Sequence, residues 1–560
     1  MFGTIFYPLS RFITAIGLFF ATILSGGGLA AATGNAPPSL NPLPYPAWVH
    51  EHWVWENDGT QQSATDFVQG FLDKGIPVGV VTIDRPWDTA VGTFIPDPDL
   101  YPDMPGFVRD MHGKDIKVTL WTSCVINEEA SNFQGAKDKG YFLSKGKTQK
   151  WWTGKGAFID YTNPEAVQWW HGQMDNVLDM GIDGWKVDGV DPYVMLLLPA
   201  YGKKGLVGWN QYQRLSYGDF YNYTMEKTKG RGVMWSRPTD DFIGLGLPLT
   251  FAPRDVNFAG WVGDQDNDWA GMRAALSNMF TSAMLNYANY GSDIGGFRSG
   301  PYKNPKDVFI RWAQLGAFCT LMENGGGGEH RPWEYDAETS AIYKDFTLLH
   351  YKLIPYIQSQ VAYSIERRQP AMRPAAGYYQ YTLGDDILVA PIVSEGHDRT
   401  IVFPAGEWIY IFDETRTYKQ GIKKLNFPME EFPAFIRKGA IVPMGPVSLD
   451  NTGEFTTVHV YPEKGTKQFG LYEDQKPGSM LSYAKTNDAL TLKSTATDRP
   501  LLWRVYGAAE PAEVKLGGTA LAKAASLAQL KTMASGYCVE DGALWVAVKN
   551  AAAGAEVVIK

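Results

Sequence analysis

Apolar residues recur between residues 46 and 366 in two alternating patterns. Short runs of β-branched and aromatic residues are typical of buried strands, and the stretches between them have the spacing of amphipathic helices, as in 64–73, 165–180 and 269–285. Eight strands alternating with helices predict an α/β fold, a (β/α)8 TIM barrel. A doubly wound open sheet is the alternative, but no Gly-rich phosphate loop follows the first strands. The predicted strands are Trp48–Trp55, Val78–Asp84, Lys117–Thr122, Gly184–Val190, Val233–Arg237, Phe258–Asp264, Asn289–Gly295 and Phe318–Glu323.

The pattern changes after a long helix that ends near Glu366. Short β-rich segments divided by Gly and Pro follow it, and the last fifty residues become rich in Ala, Val and Lys. This composition predicts two small C-terminal β-sandwich domains after the barrel of residues 46–366, one over 367–450 and one over 451–560.

The amino terminus has the pattern of an export signal. Arg11 precedes the apolar run Phe12–Leu24, and small residues follow. This order is typical of a secretory signal peptide, which we place at residues 1–32, with a Pro-rich linker over 33–45. An uncleaved anchor or a wrongly assigned start is the alternative. Since no later segment is apolar enough to span a bilayer, we expect an exported protein with no stable membrane span after signal removal.

The composition excludes several classes of protein. Of 560 residues, 45% are hydrophobic and 20% charged, which excludes a disordered chain or a coiled coil. Lys and Arg number 51 against 60 Asp and Glu, and this acidic balance argues against a nucleic-acid partner. The three cysteines, Cys124, Cys319 and Cys538, lie far apart, so neither a zinc site nor a disulfide framework is expected.

Acidic residues stand at the carboxyl ends of four predicted strands, where barrels carry their chemistry. They are Asp84 at the end of the second strand, Asp188 and Asp191 at the end of the fourth, Asp264 at the end of the sixth and Asp293 at the end of the seventh, with Arg237 at the end of the fifth and His330 after the eighth. Clustered carboxylates suit glycoside hydrolysis, because one attacks the anomeric carbon while another protonates the leaving oxygen. Repulsion between them is expected to keep one protonated near neutral pH.

Each of these residues also has an ordinary structural interpretation. A single Asp after a strand is commonly a helix cap, Lys186 can pair with Asp188, and Trp185 and Trp261 can pack inside the barrel. A metal-dependent hydrolase is a further alternative, and His50 and His52 of the first strand are its only candidate ligand pair. The presence of one acid at each of four strand ends favours the glycosidase interpretation.

The motifs resemble those of glycoside hydrolase family 31, the retaining α-glycosidases, from about residue 46 to 480. The segments are Trp185-Lys-Val-Asp188, Gly260-Trp-Val-Gly-Asp264, Gly291-Ser-Asp-Ile-Gly-Gly-Phe297, Leu383-Gly-Asp-Asp-Ile-Leu-Val-Ala-Pro391, Phe435-Ile-Arg-Lys-Gly-Ala-Ile-Val-Pro443 and Leu471-Tyr-Glu-Asp474. The resemblance implies that Asp188 is the nucleophile and Asp264 the general acid/base. It also implies that Asp84, Asp293, Arg237 and His330 bind the sugar, and that no cofactor is needed.

The chain departs from the family pattern at several points. Asp191 stands where the family usually has Glu, and Arg237-Pro-Thr-Asp-Asp241 differs from the usual Arg-Ser. The family's large amino-terminal β-sandwich is not expected, because the predicted barrel begins near residue 46. Lys186 is similar to its counterpart in xylosidase- and galactosidase-type members.

The predicted function is therefore a retaining α-glycoside hydrolase that releases a terminal α-linked sugar from an oligosaccharide or glycoside. The substrate-binding set is Asp84, Trp185, Lys186, Asp191, Arg237, Trp261, Asp293 and His330. A transglycosylase that uses the same residues and a non-catalytic carbohydrate-binding relative are the alternatives.

Overall fold

The computed structural model of the protein describes residues 39–189, 199–240, 249–298, 305–446, 454–550 and 553–560. The predicted signal peptide and Asp191 lie outside these ranges. Within the described residues, no helix has the length and apolar character needed to cross a membrane.

A parallel sheet forms the barrel wall and confirms the predicted fold class. Its hydrogen-bonded order is β10-β7-β3-β2-β1-β13, so the first five barrel strands and the eighth are in register with their neighbours. The strands of this half of the chain are β1 His52–Glu56, β2 Val80–Ile83, β3 Lys117–Thr122, β4 Val125–Asn127, β5 Gln149–Trp151, β6 Gly154–Phe158, β7 Gly184–Val187, β8 Ala200–Gly202, β9 Gly205–Val207, β10 Val233–Ser236, β11 Thr239–Asp240, β12 Leu249–Thr250 and β13 Met322–Asn324.

Four of the predicted barrel strands differ from the structure in kind or by four residues at one end. The sixth and seventh form single parallel bridges, Trp235 to Ala259 and Trp261 to Gly291, rather than extended ladders. The first strand begins only at His52, because Ala47–His50 forms a 3-10 turn that is buried and therefore equally apolar. The eighth begins at Met322, since the chain turns after the preceding helix.

Helices cover the outside of the barrel, and polar side chains fix where several of them begin. Asn163 caps the helix predicted at 165–180, which ends at Leu178, and Asp268 caps the helix that follows Asp264. The helices are α1 Gln61–Asp73, α2 Met104–Gly113, α3 Phe133–Asp138, α4 Pro164–Leu178, α5 Trp209–Lys227, α6 Trp269–Met284, α7 Lys306–Gly316, α8 Ala337–Arg367 and α9 Leu527–Thr532.

The strands that follow α8 pair antiparallel, except for the parallel pair β21 and β25. The first six form one sheet in the order β14-β15-β16-β19-β17-β18, and the remaining strands form two sheets in the orders β20-β21-β25-β29-β28 and β22-β23-β24-β30-β26-β27. The strands are β14 Met372–Pro374, β15 Tyr381–Leu383, β16 Ile387–Val389, β17 Asp398–Tyr410, β18 Asp413–Asn426, β19 Ala434–Arg437, β20 Ile441–Met444, β21 Thr456–Val460, β22 Gly465–Leu471, β23 Ser479–Lys485, β24 Leu490–Ser494, β25 Leu501–Tyr506, β26 Val514–Leu516, β27 Thr519–Ala520, β28 Ser535–Glu540, β29 Ala543–Val548 and β30 Ala555–Ile559. β20 precedes residue 450 yet pairs with β21 of the later sheets.

The barrel and the first antiparallel sheet share a buried arginine. Arg311 of α7 is fully buried and donates to the carbonyl oxygens of Phe427, Pro428 and Glu431 at 2.8, 3.2 and 2.6 Å. One continuous apolar core also contains side chains of the barrel and of the domains that follow it.

Candidate active site

Arg237, at the end of β10, connects three carboxylates at the carboxyl face of the barrel. Its Nε donates to Asp188 Oδ1 at 2.9 Å, its Nη2 to Asp264 Oδ1 at 2.8 Å, and its Nη1 to Asp240 Oδ2 at 2.6 Å. The guanidinium is almost entirely buried, with 5% of the side chain exposed, whereas Asp264 retains 24% and Asp188 13%. The structure thus brings Asp188, Asp264 and Arg237 together at the barrel mouth.

The shared guanidinium limits the distance between Asp188 and Asp264. Nη2 also lies 3.3 Å from Asp188 Oδ2. Because one nitrogen contacts both carboxylates, their facing oxygens are at most about 6 Å apart, close to the about 5–5.5 Å of retaining carboxylate pairs and below the wider inverting spacing.

Glycine at position 263 allows Asp240 and Asp264 to approach Arg237 together. The backbone of Gly263 has a φ of +97°, and a Cβ at this position would lie 2.0 Å from Asp240 Oδ1. A side chain here would therefore displace Asp240 from Arg237, so the Gly-Asp264 pair in the sequence has a steric cause.

The acids around Arg237 differ in their proton affinity. Burial alone would raise the pKa of Asp188, but the charge and hydrogen bonds of Arg237, with Lys186 nearby, hold that pKa below its ordinary value. Burial raises the pKa of Asp240 to about 6 despite Arg237, and the neighbouring Asp264 charge adds to this rise. Burial, more than repulsion between carboxylates, thus raises the pKa of Asp240, which the sequence analysis did not select.

Asp84 and Lys186 form a second, buried ion pair in the barrel. Lys186 Nζ donates to Asp84 Oδ2 at 2.7 Å, and both side chains are at least 90% excluded from solvent. Three indoles surround the ammonium group, with ring centroids 3.5 Å away for Trp55, 4.9 Å for Trp235 and 5.0 Å for Trp261. Lys186 therefore pairs with Asp84 on β2 and not with its sequence neighbour Asp188.

His330 presents one free ring nitrogen. Nδ1 lies 3.0 Å from the carbonyl oxygen of Ile294, so Nδ1 carries the proton. Nε2 is buried and has no partner among the described residues, and a Cβ at Gly326 would lie 2.7 Å from it. Burial lowers the pKa of His330 to about 4, so the neutral ring offers Nε2 as a hydrogen-bond acceptor at neutral pH.

Two predicted binding residues are fully buried. Trp185 lies on the outer side of β7, donates to Thr224 Oγ1 of α5 and packs against Phe220, because alternate residues of a strand face opposite sides. We therefore correct the prediction for Trp185. The Trp261 ring lies 4.7 Å from the Arg237 guanidinium, which it supports, and its contact with the sugar stays a prediction.

Asp293 lies beneath the site rather than on its surface. It is fully buried, and its carboxyl group contacts that of Glu323 at the end of β13. Neither Asp293 oxygen accepts a hydrogen bond from a donor in the described residues, and its role in binding sugar hydroxyls stays a prediction.

Trp152, which the sequence analysis did not single out, forms part of the rim. It lies between β5 and β6 with 49% of its surface exposed, next to Gly189, whose added Cβ would be 3.0 Å from its indole nitrogen. The guanidinium of Arg85 stacks 5.1 Å from its ring centroid. An exposed indole beside the Asp188 segment is suited to sugar stacking, and the double tryptophan 151–152 was its signal in the sequence.

A cavity of about 260 Å³ opens between the ends of β1 and β13, and its walls include Trp55, Glu56, His330 and Arg331. Its far wall is glycine backbone, Gly326 to Gly328. The free nitrogen of His330 borders this glycine wall. Of the proposed site residues His330 lines this cavity, whereas Asp188, Arg237 and Asp264 do not.

The ring nitrogens of His50 and His52 form hydrogen bonds within the protein. His50 contacts the Thr320 carbonyl oxygen through Nδ1 and the Tyr45 hydroxyl through Nε2. His52 contacts the Pro77 carbonyl oxygen and the Tyr343 hydroxyl in the same way. All four ring nitrogens are therefore occupied, and the alternative of a metal pair is wrong. No group of metal-ligand residues occurs elsewhere in the described ranges.

A barrel with paired carboxylates at its carboxyl face defines the class of barrel glycosidases. The glycosyl hydrolases family 31 TIM-barrel domain matches residues 42–360, and the C-terminal domain of the same family matches residues 367–442. The chain belongs to glycosyl hydrolase family 31.

Known relatives carry several activities. An alpha-xylosidase of Emericella nidulans is 25% identical over 72% of this chain and 54% of its own, and an isomaltosyltransferase of Sporosarcina globispora is 22% identical over 89% and 51%. The structure of a family 31 dextranase from Flavobacterium johnsoniae, complexed with glucose, superposes with a TM-score of 0.82 at 19% identity, over 93% of this chain and 71% of that one. The chain spans about half the length of the curated relatives it matches.

Proposed function

We propose that the protein is a retaining α-glycosidase that releases a terminal α-linked sugar from an oligosaccharide or glycoside. The observation that carries this proposal is the pair Asp188 and Asp264 on one guanidinium nitrogen, at a separation that suits double displacement. The family of the chain supports the same chemistry.

Asp188 acts as the nucleophile because Arg237 and Lys186 keep its carboxylate ionised. It attacks the anomeric carbon and forms a β-glycosyl ester while the glycosidic oxygen leaves. Asp264, the more exposed of the two, protonates that oxygen and then removes a proton from the incoming water, so the configuration is retained.

The remaining side chains hold the sugar. Asp84 and Arg237 offer charged hydrogen-bonding groups, and His330 Nε2 accepts from a hydroxyl. Trp152 stacks on a sugar face at the rim. The chemistry requires no cofactor, since both proton transfer and nucleophilic attack belong to carboxylates.

Transglycosylation on the same residues is a second candidate, because a relative is named an isomaltosyltransferase. In that case a sugar hydroxyl replaces water in the second step. Product analysis at rising acceptor concentration distinguishes the two, since a hydrolase gives free sugar throughout while a transferase gives the acceptor glycoside.

A panel of aryl α-glucoside, α-galactoside, α-xyloside and α-N-acetylgalactosaminide tests the proposal. We expect turnover of one of them, and proton NMR of the first product should show the α-anomer. Initial release of the β-anomer would overturn the retaining mechanism. Absence of turnover with Asp188 and Asp264 intact would instead favour a carbohydrate-binding protein.

We also propose that the protein is exported, from the basic and apolar pattern of Arg11 and Phe12–Leu24. Expression with a C-terminal tag, followed by cell fractionation and amino-terminal sequencing, tests this. Cleavage near residue 32 and recovery outside the cytoplasm are expected, and an intact amino terminus in the cytoplasm would refute export.

A further inference from the structure

The carboxyl groups of Asp293 and Glu323 form a buried pair under the sugar site. Both residues are fully buried, and each carboxyl group alters the proton affinity of the other. No N–H or other donor among the described residues reaches either Asp293 oxygen or Glu323 Oε1. Since two ionised carboxylates offer only acceptors and repel each other, their pairing in the core is favourable only when one of the two groups carries a proton.

Glu323 also fixes a neighbouring indole. Its Oε2 accepts from Trp55 Nε1 at 3.1 Å, and the Trp55 ring lies 3.5 Å from Lys186 Nζ. A Cβ at Gly325 would lie only 2.2 Å from the indole nitrogen, so the backbone packs directly on this edge of the ring. The indole therefore has one hydrogen-bonded orientation, and Lys186 lies over it.

We propose that Glu323 is a positioning residue of the sugar site, which shares one proton with Asp293 and holds Trp55 under Lys186. Through Trp55 and Lys186 it fixes Asp84, which contacts Lys186 at 2.7 Å. The effect on substrate binding rests on the proposed function, whereas the shared proton does not.

The surrounding charges agree with one shared proton. The groups that face the pair are Lys186, Asp264, Cys319 and Tyr343. Burial raises the pKa of Glu323 to about 7, although Trp55 and Lys186 oppose the rise. Burial and the Glu323 charge raise the pKa of Asp293 well above its ordinary value. The pair thus keeps one proton near neutral pH, and a single negative charge faces Lys186.

Infrared spectroscopy tests the shared proton without any substrate. At pH 8, the difference spectrum between the wild type and Glu323→Gln should show one protonated carboxyl group in the wild type alone, because the glutamine amide donates to Asp293 and lets it ionise. Asp293→Asn should remove the same band. Absence of the band from the wild type, or its persistence in Glu323→Gln, would overturn the proposal.

Kinetics with an aryl α-glycoside test the positioning role. Glu323→Met and Trp55→Phe both remove the hydrogen bond, so each should raise KM about tenfold with a smaller effect on kcat. The double variant should have a KM no higher than that of either single variant, because both substitutions remove the same hydrogen bond. Glu323→Gln, which still accepts from Trp55, should keep KM within about twofold of the wild type.

Glu473→Gln is the matched control, because Glu473 is also a mostly buried glutamate with a raised pKa but lies in the C-terminal region. The positioning role would be refuted if the increases in KM caused by Glu323→Met and Trp55→Phe multiplied in the double variant, or if kcat fell at constant KM. If no variant and no wild type cleaves any glycoside, the proposed function fails while the infrared result still decides the shared proton.

Discussion

Asp240 Oδ2 accepts a hydrogen bond from Arg237 Nη1 at 2.6 Å, while Nε and Nη2 of the same guanidinium donate to Asp188 and Asp264. Asp240 thereby fixes the rotation of the guanidinium about its own axis. Since Arg237 connects the two proposed catalytic carboxylates, a residue outside the reaction determines how they face each other.

Asp240→Asn should lower kcat/KM about tenfold above pH 6, because the buried Arg237 loses a charged partner. The pKa of Asp240 is about 6, so below that pH the wild type also carries a neutral side chain here and the difference should disappear. A pH profile of kcat/KM for both proteins checks this. Asp255→Asn, in the exposed pair with Arg214, is the control and should have no effect. An equal deficit at all pH values would contradict the assigned role.

The two proposed catalytic aspartates should respond differently to azide. In Asp264→Ala the glycosyl enzyme forms from an activated substrate but hydrolyses slowly, so azide should accelerate turnover and give an α-glycosyl azide. In Asp188→Ala the nucleophile is missing, so no α-azide should form. Product NMR distinguishes the two, and an α-azide from Asp188→Ala would mean that the roles are reversed.

Trp152→Ala should raise KM for aryl α-glycosides about tenfold, the loss expected for a stacking aromatic, and Trp152→Phe should recover most of it. Michaelis–Menten kinetics on both variants measure this. Tyr378, with 62% of its surface exposed in the C-terminal region, provides the control, and Tyr378→Ala should leave KM unchanged. Unchanged KM in Trp152→Ala would exclude a stacking role.

Asp88 should make stability depend on pH in a defined direction. Burial raises its pKa to about 7, against hydrogen bonds from Gly92 and Thr93. The folded state therefore binds more protons than the unfolded state between about pH 4 and pH 7, and this contribution to stability is lost as pH rises through 7. Asp88→Asn should exceed the wild type in free energy of unfolding by on the order of 1–3 kcal/mol at pH 8, and match it below pH 4. Urea titrations at both pH values measure this difference in the free energy of unfolding. A larger gain for Asp88→Asn at pH 4 than at pH 8 would contradict a raised pKa of Asp88.

Much of the barrel could be predicted from the sequence. Lys117–Thr122 is a continuous buried strand, so its apolar pattern gives both ends correctly. The first strand was placed too early, because Ala47–His50 is as buried as a strand while forming a 3-10 turn. Burial determines the apolar pattern, and local backbone geometry does not.

The site was predicted less completely than the fold. Asp188, Arg237 and Asp264 follow strands, so their meeting at the mouth could be expected from topology. Asp240 and Glu323 could not, because the first depends on how the chain turns after Arg237 and the second on how Asp293 and Trp55 pack beside β13. Trp185 was misassigned because position along a strand decides the side to which a residue points.

The carbonyl cluster around Arg311 determines how the chain can be divided. Within the described residues no carboxylate bonds to this cation; its hydrogen-bond acceptors are the side-chain oxygen of Gln314 and backbone oxygens of residues 427–431. A fragment that ends after α8 would remove those backbone oxygens and would expose to water the apolar core that the barrel shares with the domains that follow it. We therefore expect the barrel and the following sheet to unfold together, and a transplant of the catalytic barrel into another scaffold to need residues 372–437 as well.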